Sequence, residues 1–205
     1  MLVWLNPRLA FRESEMELRH VIARLRGDLA VDVGASRGHY TWDLAGHFKR
    51  VIAVEQYPEN VRILEAHQRR MKIANLKIIS AAVSNAEGSA KLYINAVNPH
   101  GSSSILGPGL SYVSVPLTTL DRILENESRV DLVLVDAEGA EWAILKGAKK
   151  SIRRIATWIF ELHDKSRKAT FDAVVKARGY ETHWIVCFGH PNLHVVAYRS
   201  GRAQM

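Results

Sequence analysis

Cysteine is almost missing from this chain: Cys187 is the only one in 205 residues. That excludes a disulfide framework and points to a reducing compartment. Its apolar neighbours predict a small buried residue. Long apolar runs are missing too. Met1-Leu2-Val3-Trp4-Leu5 gives way at once to Asn6-Pro7-Arg8, too short for the core of a signal peptide. No run approaches the length of a membrane span. The expectation is a cytoplasmic protein with no membrane span.

Acid is scarce in one place only. Residues 149–205 hold 11 Lys and Arg against 4 Asp and Glu, whereas residues 1–148 hold 17 of each. The formal net charge of +7 therefore lies in the last quarter, mainly in Lys149-Lys150-Ser151-Ile152-Arg153-Arg154 and Lys165-Ser166-Arg167-Lys168. Such a patch can attract nucleic acid or another polyanion. A solvated helix face is the plainer reading and is preferred.

What is present is a regular alternation. With 47% hydrophobic residues the chain fits one domain over 1–205. Residues 1–28 are expected to form a helical extension, with apolar positions at helical spacing from Glu13 to Leu25. Strands are expected at 29–33, 51–55, 76–82, 131–136, 155–161, 181–188 and 193–199. Helices are expected near 39–47, 58–72, 119–126, 139–146 and 167–178. Alternation of this kind implies an α/β fold, a mostly parallel sheet with helices on both faces. Gly189-His190-Pro191-Asn192 is hairpin length, so the last two strands must be antiparallel. A seven-stranded Rossmann-like sheet with one antiparallel strand results. Between the third and fourth core strands, Ala90 to Ile94 reads as an extra strand. Residues 95–112, rich in Asn, Gly, Ser and Pro, then read as a variable substrate loop.

The densest signal is Val31-Asp32-Val33-Gly34-Ala35-Ser36-Arg37-Gly38, a buried strand running into a glycine turn and a helix start. Glycine permits a tight turn and close ligand approach, and the helix start offers free N–H groups. Glu55 ends the next strand 21 residues after Gly34, close to the offset of about 20 at which an acid meets a ribose. A dinucleotide site wants G-x-G-x-x-G, with its second glycine making room for a pyrophosphate. Here Ala35 and Ser36 stand in that place. The pattern suits S-adenosylmethionine, which has an amino-acid tail and no phosphates. A strand–turn–helix that binds nothing is the alternative.

Six segments, the glycine turn among them, carry a resemblance. Asp32 to Thr41 resembles the first motif of the FkbM-type S-adenosylmethionine-dependent methyltransferases. Val51 to Gln56, with Pro58 and Asn60, resembles their second. Thr118-Thr119-Leu120-Asp121, then Val130 to Glu141 with Asp136-Ala137-Glu138-Gly139-Ala140-Glu141, are similar to their later motifs, and Leu145 to Ala148 and Phe160-Glu161-Leu162-His163 complete the series. One departure is Leu134, where members often carry Lys. The resemblance implies a class I methyltransferase fold.

In an open sheet, ligands sit outside the carboxyl ends of the strands. Asp32, Gly34, Ala35, Ser36 and Gly38 are expected to hold the methionine part of the cofactor, with Thr41 adding a hydroxyl. Glu55 would take the ribose, and Gln56, Ser80, Ala81 and Ala82 would flank the adenine. Asp136 is the candidate to contact the sulfonium region or the acceptor, and Glu141 the likeliest structural cap. His163, at a strand end, is the candidate base for a hydroxyl acceptor. The pair Asp136 and Asp164 also allows a Mg²⁺-assisted route, ranked lower because a third ligand is not evident. The leading function is O-methylation of a small molecule or glycan. RNA methylation through the basic quarter, and an inactive cofactor-binding module, are the alternatives. The acceptor and the oligomeric state are open at this level.

Overall fold

Val130–Val135 alternates no polar face with an apolar one, and neither do the strands beside it; such runs form strands covered on both sides. The computed structural model describes residues 16–95, 103–105, 111–185 and 192–199. The expected helix start at Glu13, Cys187, the connection 189–191 and most of the loop 95–112 lie outside these residues.

In chain order the elements are α1 (Met16–Ile22), β1 (Gly27–Val33), α2 (Thr41–His47), β2 (Phe48–Glu55), α3 (Pro58–Met71), β3 (Leu76–Ser80), β4 (Ala82–Ser84), β5 (Gly88–Tyr93) and β6 (Tyr112–Thr119). Then follow α4 (Leu120–Ile123), β7 (Val130–Val135), α5 (Glu141–Lys146), β8 (Ile155–Leu162), α6 (Lys168–Lys176), β9 (Glu181–Ile185) and β10 (Leu193–Tyr198). The main sheet has seven strands in the order β3-β2-β1-β7-β8-β10-β9. Its pairings are parallel except those of β10, which runs antiparallel to both β8 and β9. The order reverses direction between β1 and β7, so a crevice opens at their carboxyl ends.

Period-two alternation splits the core between the two faces of this sheet. Leu29, Val31, Val33, Val133, Val135, Trp158 and Phe160 face one side. Ala30, Leu132, Leu134 and Ile159 face the other and meet Leu44 and Leu64 of the helices. Trp158 stacks on Phe160 at 5.1 Å, and Phe171 of α6 meets the Phe160 ring edge-on at 4.8 Å.

The second sheet is where the structure departs from the sequence reading. The expected strand 76–82 breaks at Ala81. β4 leaves the main sheet and joins β6 and β5 in the order β4-β6-β5. Strand β6 was not expected, because Pro116 interrupts it and proline demotes a strand. Its pairing with β4 begins at Leu117, so Pro116 lies beyond the end of β4, where a missing N–H removes no bond on that side. Leu92 and Val115 of this sheet are buried against Ala82, with Tyr57 and Ile105 packed on them.

Candidate active site

The crevice is built by two turns that press on each other. Gly34 follows β1 with φ +85°, and a β-carbon there would lie 1.7 Å from the carbonyl oxygen of Asp136. No other residue fits at that position. Gly38 has φ +92°, and its β-carbon would fall 2.2 Å from the Trp42 ring. Ser36, Glu138 and Gly139 also take positive φ, so both turns are sharp. The Gly34 and Ala35 N–H groups donate to the Val54 carbonyl at 2.9 and 3.1 Å, and the Asp136 N–H donates to the Val33 carbonyl at 2.9 Å.

Asp32 is buried, with 1% exposure. Its Oδ2 accepts the Thr41 hydroxyl at 2.6 Å, while its Oδ1 is buried with no hydrogen-bond partner. Burial pushes its carboxyl up to about 7, against the pull of the Thr41 hydrogen bond. Thr41 is itself fully buried and acts through Asp32. Glu55 is buried and holds the turn from the other side. Its Oε2 accepts the Ser36 N–H at 2.7 Å, and its Oε1 accepts the Tyr57 N–H at 2.7 Å. Burial raises its carboxyl above the ordinary range, despite these hydrogen bonds. The Asn60 side-chain amide adds a longer hydrogen bond to Oε1 at 3.4 Å, and the Gln56 N–H also points at this carboxyl, so Glu55 braces the turn from several sides.

The residues expected around an adenine lie along the same edge. Gln56 is half-buried, and its side-chain amide donates to the Ser103 carbonyl at 3.4 Å. Ser80 is exposed at the end of β3, and the buried Ala81 donates its N–H to the Glu55 carbonyl at 3.0 Å. Ala82 is buried. Ser104 donates its hydroxyl to the Glu138 carbonyl at 3.0 Å. The described part of the variable loop thus bridges the carboxyl ends of β2 and β7.

Beside β7 lies a second group. His163 directly follows β8, and its Nδ1 is 2.7 Å from Glu141 Oε1. Its Nε2 faces Glu138 Oε2 at 3.5 Å, Glu161 Oε1 at 3.7 Å and Asp136 Oδ1 at 3.9 Å. Burial alone would lower the imidazole, but the hydrogen bond to Glu141 and the charges of Glu141, Asp136 and Glu161 outweigh it and raise it to about 9. The Asp136 carboxyl is pushed well up by its withdrawal from water and by Glu161 and Glu138, although its side chain keeps 32% exposure. Burial acts upward on Glu161 also, yet hydrogen bonds from His194 and Asn192 and the charges of His194 and His163 pull it down. Glu141 also accepts the Gly139 N–H at 2.9 Å, so it braces the turn before α5.

Asp164, expected to pair with Asp136, does not reach this group. It is exposed, caps Ser166 at 3.1 Å and pairs with Arg167 at 3.0 Å. The third carboxylate is Glu161, which sequence reasoning passed over. Glu161 and His163 are two apart on one strand end and so share a face, a signal that was there to be used. Asn192 and His194 were invisible, because β10 reaches them only through the antiparallel pairing. Asp121, of the segment Thr118 to Asp121, is structural: it accepts the Lys150 N–H at 3.0 Å and the Ser151 N–H at 2.7 Å.

A seven-stranded sheet of this order, with one antiparallel strand next to its edge and a D-x-G turn after β1, is that of the class I methyltransferases. Residues 32–182 match the methyltransferase FkbM domain, and the chain belongs to that family. The methyltransferase FkbM from Methylobacillus flagellatus KT superimposes with a TM-score of 0.66 at 16% identity, over 94% of this chain and 50% of that one. This chain therefore spans half the length of that relative. An rRNA methylase from Streptococcus thermophilus superimposes at 0.58 with 14% identity, over 93% of this chain and 98% of that one. M. capricolum TrmK in complex with S-adenosyl-homocysteine superimposes at 0.57 with 13% identity, over 94% and 69%. No curated protein matches the chain in sequence. Among the described residues no helix is long and apolar enough to cross a membrane.

Proposed function

We propose that the chain is an S-adenosylmethionine-dependent O-methyltransferase acting on a hydroxyl of a small molecule or glycan. The observation that carries this reading is the orphaned Oδ1 of buried Asp32, beside a glycine turn that no side chain can fill. A buried acceptor without a partner is costly, and the ammonium of an amino-acid tail is a donor of the right charge. Gly34 to Gly38 would hold that tail, with Thr41 orienting Asp32. Glu55 would accept the ribose hydroxyls, and Gln56, Ser80, Ala81 and Ala82 would border the adenine. The cofactor supplies an electrophilic methyl group on a sulfonium. The chain's own residues would bind and orient it, and Asp136 and His163, at the carboxyl ends of β7 and β8, would face the acceptor.

In this geometry His163 acts on charge before it acts on protons. With no cation bound beside it, an imidazole that keeps its proton to about 9 is itself a cation at neutral pH, set among carboxylates, and any group that takes the Nε2 lone pair must displace that proton. Residues 95–112 would shape the acceptor site, since Ser103 and Ser104 bridge its rim.

The RNA reading has less support. Several cations of the basic quarter serve the fold: Arg154 donates to the Glu127 carbonyl, Arg178 to that of Val174, Arg199 to that of Ile155, and Lys176 pairs with Asp172. Calorimetry tests the proposal directly. S-adenosyl-homocysteine should bind, and NAD should show no comparable heat. Tight NAD binding with no response to S-adenosyl-homocysteine would sink it.

A further inference from the structure

His163 presents the two-sided arrangement of a metal-ligating histidine. A ligating imidazole donates its other ring N–H to a carboxylate, which fixes the tautomer and aims the free nitrogen at the ion. Here Nδ1 is held by Glu141 Oε1 at 2.7 Å, and Nε2 is aimed at Asp136, Glu138 and Glu161. Asp136, Glu161 and His163 offer one donor atom each, all within 4.8 Å of one another. Ligands about 2.1 Å from a common ion stand roughly 3–4 Å apart, and Nε2 lies 3.7 and 3.9 Å from the two carboxylate oxygens. Glu161 has its own outer partners: Asn192 donates to its Oε1 at 2.6 Å, and His194 Nε2 lies 3.3 Å from its Oε2. Both ligands are thus oriented from behind by groups on other elements, α5 and β10.

We propose that Asp136, Glu161 and His163 form a binding site for one divalent first-row cation. Two carboxylates and an imidazole suit Mn²⁺ or Zn²⁺ better than Mg²⁺, which prefers oxygen alone. The site lies at the carboxyl ends of β7 and β8, next to the turn that holds Gly34. Its chemical role rests on the methyltransferase reading. The acceptor hydroxyl becomes a further ligand, and the ion lowers its pKa so that the proton leaves to water. The oxygen's electron pair then forms the O–C bond, while the C–S bond breaks and its pair returns to sulfur. The sulfonium becomes a thioether and the ion is unchanged.

Binding itself needs no methyl transfer, so the test is Mn²⁺ titration of the full chain followed by electron paramagnetic resonance. One ion per chain should bind in the wild type. Affinity should fall at least tenfold in Asp136→Asn and in Glu161→Gln. In Asn192→Ala it should fall about 10–100-fold, as for loss of an outer partner. The exposed Glu125→Gln should bind as wild type. If a buried variant fails to fold, Asp136→Asn at the open rim still decides. No bound Mn²⁺, or binding that ignores these substitutions, overturns the site. Calorimetry with S-adenosyl-homocysteine in chelator separates the two claims. A chain that binds S-adenosyl-homocysteine in chelator but takes up no Mn²⁺ when titrated sinks the metal site alone, and Mn²⁺ uptake without product binding sinks the function reading.

Discussion

Gly34 and Asp136 touch through their backbones: a β-carbon on Gly34 would come within 1.7 Å of the Asp136 carbonyl oxygen. That contact brings the turn after β1 against the turn after β7 and sets the width of the crevice.

Gly34→Ala should therefore be strongly destabilising, because it meets backbone rather than a movable side chain and also needs φ +85°. A loss of about 2–5 kcal/mol is expected, the range for backbone strain plus overpacking. Gly46→Ala is the matched comparison. It lies in α2 with nothing within 4 Å of its added carbon, and should gain up to about 1 kcal/mol from helix propensity. Thermal denaturation should move the two variants in opposite directions.

The Asp32 carboxyl sets a pH dependence. Its folded value near 7 lies above its ordinary one, so between about pH 4 and 7 the folded chain holds a proton that the unfolded chain has lost. Its contribution to stability is thus present at low pH, falls as pH rises through that window, and levels off above 7. The full effect is on the order of 4 kcal/mol. Asp32→Asn should raise the melting temperature relative to wild type more at pH 8 than at pH 5. An equal offset at both values would show that this carboxyl does not titrate there. The same substitution should abolish the attraction for the ammonium of the cofactor, seen as weaker binding of S-adenosyl-homocysteine.

Glu55 holds the Ser36 and Tyr57 N–H groups, each at 2.7 Å. Glu55→Ala should weaken S-adenosyl-homocysteine binding by about 1–3 kcal/mol, the range for charged hydrogen bonds. Calorimetry should also show lower thermal stability, since two buried N–H groups lose their acceptor. Unchanged affinity would assign Glu55 to bracing the turn alone.

Asp121 should behave in the opposite way. It ties α4 to the Lys150 and Ser151 N–H groups, far from Asp32 in the chain and on the other side of α5 in sequence order. Asp121→Ala should cost about 1–3 kcal/mol of stability and leave cofactor affinity unchanged. Burial would raise its carboxyl, but these hydrogen bonds and Lys150 hold it below the ordinary range. The contribution is therefore present above about pH 4 and is lost as pH falls below it. Urea denaturation of the two proteins at pH 7 and pH 3 should show the gap narrowing on acidification.

The alternation of apolar runs and amphipathic segments was enough to count the strands of the main sheet and their mostly parallel sense, because buried strands need apolar side chains on both faces and hairpin-length links need antiparallel partners; the strand order came from the structure. The D-x-G turn was legible for the same kind of reason: glycine is the one residue that leaves room at Gly34. Local pattern could not show that the chain breaks at Ala81 to seed a second sheet, since Pro116 hides β6 until its pairing is known. Nor could it join Glu161 to Asp136, or bring Asn192 and His194 behind them. Those contacts cross between strands brought together by the pairing of β7, β8 and β10. Sequence by itself determined the strands of the main sheet, the D-x-G turn and the family. Which carboxylates surround His163, and therefore its charge, was decided only by tertiary structure, because electrostatics depends on distance through space and not along the chain.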